Sequence, residues 1–462
     1  MSLNQPSRSR VVALVAAGFA IGAIAAWPGF IDRRVAHAGV AVTPAPVTQD
    51  YLQRDRLVTF WEKAVRQHLR QDMMSPQNLA AQYLQRFREQ GNIDDVFRAR
   101  VAAELSLRAQ PHGNVPAMAE LAAVHLTLHN FKKALAITQS IERLDPGDPA
   151  TEVREASLDL ELGREAPAKR ILDALPRTGR VDVAADTLRA RYLEETGHLA
   201  EARRTFARTA AFVDSLAYES AERRAWFPMR SGELAFEAGD NQRAIDDETR
   251  ALEVFPRYVE GFRLRARFEC ALHRWKACRD DAIASVNIIP YPETLGYEYD
   301  AERALGETEK AGQTRDLIDA IYHLTSTQRI SDSLLATYYS EHGIHVREAY
   351  TIARRELTVR DDIYTRDRLA WAAAMDGRWN EARANVRRAL RFDTENATLQ
   401  YHAGVIALHF GNRSEAKSRL QRALSLNPQF HGYYAQDARQ KLAALFGRHQ
   451  SAPRQRALAT GT

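Results

Sequence analysis

Cysteine is scarce in this sequence: Cys270 and Cys278 are the two among 462 residues. Two thiols are too few for a disulfide framework or a zinc knot. No H-E-x-x-H, Walker A, G-x-G-x-x-G or G-x-S-x-G occurs. The signatures of zinc proteases, P-loop NTPases, dinucleotide enzymes and α/β-hydrolases are therefore missing. No stretch alternates Val, Ile or Thr with polar residues, so strands are not expected. An excess of one charge is also missing where it would matter. Of 64 Lys/Arg and 59 Asp/Glu, the two ends take seven and two, leaving 57 of each between 51 and 446. A neutral body lacks the electrostatic footprint of a phosphate-backbone binder, which argues against nucleic acid. With 45% hydrophobic and 27% charged residues, the chain still has the composition of a folded protein.

One long apolar run exists. "VVALVAAGFAIGAIAAW" (Val11 to Trp27) follows the basic "MSLNQPSRSR" and stops at Pro28-Gly29. Residues 1–38 thus read as a signal peptide or an N-terminal membrane anchor. Small-residue patterns at Ala23-Ile24-Ala25 and Ala36-His37-Ala38 offer cleavage sites, and Gly18 with Gly22 would pair helices if the span is retained. The absence of a following cysteine excludes a lipoprotein anchor. Export to the periplasm or cell envelope is expected, with membrane contact through residues 11–27 if uncleaved. Residues 39–49 ("GVAVTPAPVTQ") read as a Pro-containing tether, about 30 Å long if fully extended.

From 50 to 446 apolar residues recur at three and four, the helical period. Candidate turn residues fall at His129, Gly163, Gly197, Gly239, His273, Gly306, Gly343, Gly377 and Gly411, spaced 34, 34, 42, 34, 33, 37, 34 and 34. Five after each turn stand Ala134, Ala168, Ala202, Ala244, Cys278, Ala311, Glu348, Ala382 and Ala416; eight of the nine are small. Seven before each turn stand Ala122, Ala156, Ala190, Gly232, Ala266, Tyr299, Ala336, Ala370 and Gly404, again eight small. Small residues at both places let two antiparallel helices approach closely. The 42-residue interval places extra residues between Ala211 and Ala225. They read either as a helix about two turns longer or as a kink dividing the array.

This pattern resembles the tetratricopeptide repeat, a 34-residue pair of antiparallel helices. "DRLAWAAAMDGR" and "YHAGVIALHFGNRSEA" near the end also resemble exported bacterial repeat proteins of that kind, a group that implies an envelope location and no chemistry. The resemblance implies an all-α, right-handed α-solenoid: a capping region at 50–110, about nine hairpins over 111–446, and a disordered basic tail at 447–462. It also implies that the first helix of each unit lines a concave groove. Glu233, Glu237, Arg263, Arg267, Asp367, Trp371 and Tyr401 are then the groove residues for a partner protein or peptide. Aromatics along the groove would instead favour a polysaccharide, held for a polymer-synthesis or secretion machine.

Other clusters read as structure. His125 and His129 lie four apart, but one holds a turn and the other a hairpin-facing place, so packing is preferred to zinc. Asp246/Asp247, Asp280/Asp281 and Asp361/Asp362 sit among arginines as solvated faces. Cys270 and Cys278 close and open the two helices of one hairpin, where they either form a disulfide or fill core places. No catalytic residue, metal or cofactor is predicted.

Overall fold

The computed structural model describes residues 46–67, 71–175, 180–327 and 333–447, together with Ala36 and His37. Twenty-two α-helices fill the described residues, mostly packed as consecutive antiparallel pairs. The architecture is the all-α, tetratricopeptide-like array that the spacing predicts. Nine hairpins centre on the nine expected turns. A tenth, Met74–Gln90 with Ile93–Ala109, turns at Gly91 inside the region read as a cap. Single helices, Arg54–Gln67 and Tyr434–Gly447, flank the array. A two-residue antiparallel ladder joins Ala36–His37 to Arg180–Val181.

Each hairpin exists because one residue leaves the right-handed region. All nine expected turn residues have positive φ, from 54° at His129 to 78° at Gly239. In every unit the next N–H reaches back to the carbonyl four residues before the turn, as in Arg164 N to Asp159 O (2.8 Å) and Arg378 N to Ala373 O (2.8 Å). This bond closes the first helix and caps carbonyls that would otherwise be orphaned. Histidine pays a steric penalty there that glycine avoids. Stacking offsets it: His129 lies on Phe131 and His273 on Trp275, with centroids 5.2 and 5.0 Å apart.

The small residues meet at the hairpin cores, where Ala134, Ala156, Ala168, Ala202, Ala244, Ala266 and Cys278 are fully buried. In the Gly343 unit His345 also adopts positive φ (43°), and the register advances by one. Ala349 rather than Glu348 therefore takes the core place. In the Gly306 unit Ala301 is buried while Tyr299 is half-buried. The extra length before Gly239 is shared between two longer helices, Leu199–Asp214 and Ala221–Glu237, of 16 and 17 residues.

The units wind far enough for one part of the array to reach another distant in sequence. Loops between late units dock on the hairpin turns of early ones. Asp361 N donates to Glu161 O (3.1 Å), Thr394 Oγ1 to Glu195 O (2.7 Å) and Asn427 Nδ2 to Phe236 O (2.7 Å). The His273 ring pairs with Gly432 O at 2.7 Å. A buried ion-pair chain crosses the same seam: Glu161 holds Arg191 (2.7 Å) and Arg360 (2.9 Å), and Arg360 holds Asp362 (2.6 Å). Near the N-terminal end, Thr48 Oγ1 donates to Glu219 O (2.8 Å) and Asp50 accepts from Ala221 N (2.9 Å), so residues 46–50 lie against the Gly239 unit.

Candidate functional site

The winding encloses a cavity of about 1060 Å³, lined mainly by the first helices of successive units. The periodic place of each side chain decides whether it points there. Glu233, Glu237, Arg263, Arg267, Asp367 and Trp371 all line this one cavity. Tyr401 does not; it is buried beside Trp371, and its hydroxyl donates to Asp437 (2.7 Å). Its size and neighbours turn it into the aromatic core between the last units, against the expectation of a groove-facing residue.

Charge inside the cavity is paired to an unusual extent. Arg263 bonds Glu260 (2.9 Å) and Glu293 (2.8 Å), and Tyr297 OH donates to Glu293 (2.8 Å). Arg230 bonds Glu194 and Glu233, while Tyr364 OH donates to Glu194 (3.1 Å). Burial would raise the Glu233 pKa, but Arg230 and Arg263 outweigh it and hold the carboxyl below its ordinary value. Glu237 is pushed up to about 8 by burial and by neighbouring Glu194, and accepts from Asn396 Nδ2 (3.1 Å). Burial likewise pushes Glu195 up to about 7. Such pairs desolvate two charges together and fix geometry more than they stabilise. Arg267 differs, because it makes a cation–π contact over Phe236 (5.3 Å) and no ion pair with a described residue.

At one end of the cavity Asp367 Oδ2 contacts His402 Nδ1 (2.8 Å), and Trp371 stacks on that imidazole at 4.2 Å. Trp371 Nε1 donates to Tyr434 OH (2.9 Å), and Tyr401 stacks on Tyr434 (4.6 Å). His342 pairs with Asp300 (2.9 Å) and His431 with Glu341 (3.7 Å). Neither these nor His125 and His129 belong to a group of three or more ligating side chains; no such group occurs among the described residues. Cys270 and Cys278 are joined in a disulfide with Cα atoms 5.1 Å apart, and Cys270 also lines the cavity.

Sequence reasoning missed Arg191, Glu195, Ser157 and Thr187, all cavity-lining. Glu237 and Glu233 stand two and six residues before Gly239; the places two, six and ten before Gly197 and six before Gly163 hold these four. The seam contacts had no local signal, since each partner lies far away along the chain. Residues 11–27 and 448–462 lie outside the described residues. No helix among the described residues is long and apolar enough to cross a membrane.

The chain matches no family model and no curated protein sequence. It is similar to the solved structure of PilW, a widely conserved type IV pilus biogenesis factor, at 14% identity and a TM-score of 0.38, over 49% of this chain and 98% of that one. It is also similar to the Cut9–Hcn1 hetero-tetramer of the APC/C, at 12% identity and a TM-score of 0.30, over 85% and 93% of the respective chains.

Proposed function

We propose that the protein is a non-catalytic, exported scaffold that binds a protein or peptide partner inside its superhelix, within a cell-envelope assembly. The observation that carries this reading is the single cavity onto which six residues from three units converge. A surface of that length, with rigid helices and alternating charge, suits an extended backbone with mixed side chains better than a small substrate. The right-handed sense of the solenoid and retention of the apolar segment 11–27 as an anchor belong to the same proposal. A polysaccharide is the weaker reading, because the faces of Trp371 and Tyr401 that would serve as platforms are stacked on His402 and Tyr434.

A photo-crosslinking amino acid placed at Thr398, which lines the cavity, should capture a defined partner from envelope extracts. The same group at Glu253 on the exposed outer side should not. Equal capture from both places, or none from Thr398, would reject the interior as the binding surface.

A further inference from the structure

The array stops at each end on half a hairpin, and the two halves are of opposite kind. Helix Arg54–Gln67 is a second helix without a first. It packs on Met74–Gln90, and Val58 and Val65 enter the core at that junction. Tyr51, just before it, packs on Phe255 (4.9 Å). Aligned on Arg413–Leu426, the 14-residue second helix of the Gly411 unit, it carries Leu57, Trp61 and Ala64 at the places of Ala416, Leu420 and Ala423. Those three are fully buried, whereas Leu57 is 39% exposed and Phe60 beside it 60%.

Helix Tyr434–Gly447 is a first helix without a second. Phe446-Gly447 stands 36 residues after Phe410-Gly411, and Tyr434 stacks on Tyr401 of the unit before. In that unit the second helix covers Gln400 and Gly404. Arg419 Nη1 donates to Gln400 Oε1 (2.8 Å), and a Cβ on Gly404 would lie 2.8 Å from Leu420. Their counterparts 36 residues on, Gln436 and Gln440, are exposed together with Ala443 and Ala444. This open row is narrow and uncharged, as a row that receives a helix must be. Repeat arrays ordinarily end on polar outer faces, and exposed Leu57 and Phe60 depart from that.

The seam shows the same incompleteness. The turns at Gly91, Gly163, Gly197 and Gly239 each meet the connection between the fifth and sixth units beyond. A Cβ on them would lie within 3.1 Å of Ile289, Asp361, Phe392 and Leu426 respectively. At Gly306, Gly343, Gly377 and Gly411, turns of like φ, no described atom lies within 4 Å of such a Cβ.

We propose that the chain self-associates head to tail: Tyr434–Gly447 of one copy pairs with Arg54–Gln67 of the next, completing one hairpin between them. The count of units then carries the seam onward. The second copy's connections at Gly113 and Gly147, both open, would face the first copy's turns at Gly306 and Gly343. The next two seats are held by the chain's own residues 36–37 and 46–50. Because the two faces differ, the contact is heterologous and extends the superhelix instead of closing a two-fold dimer.

The test mixes two full-length variants, Ala64→Cys and Gln436→Cys, with a short bismaleimide. The native cysteines are paired with each other and stay silent. The mixture should give a covalent dimer whose yield rises with protein concentration. Either variant alone, or A64C mixed with Ser418→Cys, should give little. Phe60→Glu on the A64C chain should remove the product, and so should Ala443→Glu on the Q436C chain. Both sites are exposed within one copy, so neither variant should move the thermal midpoint, and A443E decides if F60E fails to fold. No dimer at any concentration overturns the proposal, as does a dimer that survives A443E. Equal yield from A64C alone would mean a two-fold pair and overturns it too. So does binding of the chain to phosphatidylglycerol vesicles that F60E abolishes while no dimer forms, since the face would then belong to a lipid surface.

Discussion

Gly163 and Gly377 occupy equivalent turns with φ of 67° and 76°. Their surroundings differ. A Cβ on Gly163 would lie 2.1 Å from Asp361 O, a backbone atom of the docked loop, whereas nothing lies within 4 Å of one on Gly377. Alanine at either place forces an unfavourable left-handed conformation, at about 1 kcal/mol. At Gly163 it must also displace the seam, so G163A should lose about 3 kcal/mol against about 1 for G377A, read from urea unfolding. Equal losses would mean that the seam does not form.

Glu248 supplies a second residue-scale prediction. It is fully buried against Gly232, and neither carboxylate oxygen has a hydrogen-bond partner. Burial, with Glu233 nearby, holds its pKa well above the ordinary value. A carboxyl raised on folding favours the native state only while protonated. Its cost is absent below the unfolded pKa and grows as pH rises above it. Glu248→Gln should therefore match the parent at pH 4 and exceed its stability by about 1–3 kcal/mol at pH 8. A pH-independent difference would contradict this.

At the scale of elements, hairpins were the most legible feature. Positive φ and small residues are local demands, so nine turns could be placed from spacing, including those at His129 and His273. Register failed at Glu348 because one extra left-handed residue, His345, cannot be distinguished in sequence from an ordinary helix start. Tyr401 failed for another reason: its offset points toward the groove, but the final helix Tyr434–Gly447 covers it, and that cover carries no repeat signature. A periodic cap also went unread. Fifteen residues before the turn stand Asn114, Asp148, Asp182, Asp362 and Asn396, each accepting a bond from the backbone N–H three residues on.

The Cys270–Cys278 bond closes an eight-residue separation within one such element, which constrains the unfolded chain by about 2.5 kcal/mol in the loop-entropy model. Replacing both cysteines with alanine, the residue seven other units carry at the Cys278 place, should lower stability by about that amount. Amide exchange should accelerate in 259–286 and, through His273 and Gly432, around 430–434. Acceleration confined to 259–286 would show that the seam does not transmit the change.

For the whole molecule, the decisive property is that the array meets itself. Repeat arrays usually couple nearest neighbours only; here Glu161, Glu195 and Phe236 each hold a residue from a late unit, and the groove becomes an enclosed cavity. That property depends on cumulative rotation over many units, which no single 34-residue interval encodes. A partner must therefore thread the interior or open the seam, and both routes make binding sensitive to seam strength.

Cysteines at Glu165 and Arg391, which form an ion pair across the seam, test this most directly. In the Glu165→Cys/Arg391→Cys variant at low protein concentration, a short bismaleimide should give near-complete intramolecular crosslinking. The control pair Glu165→Cys/Ser418→Cys, with Ser418 exposed on the last unit, should give little. Equal, low yields from both pairs would show an open solenoid and contradict the enclosed cavity.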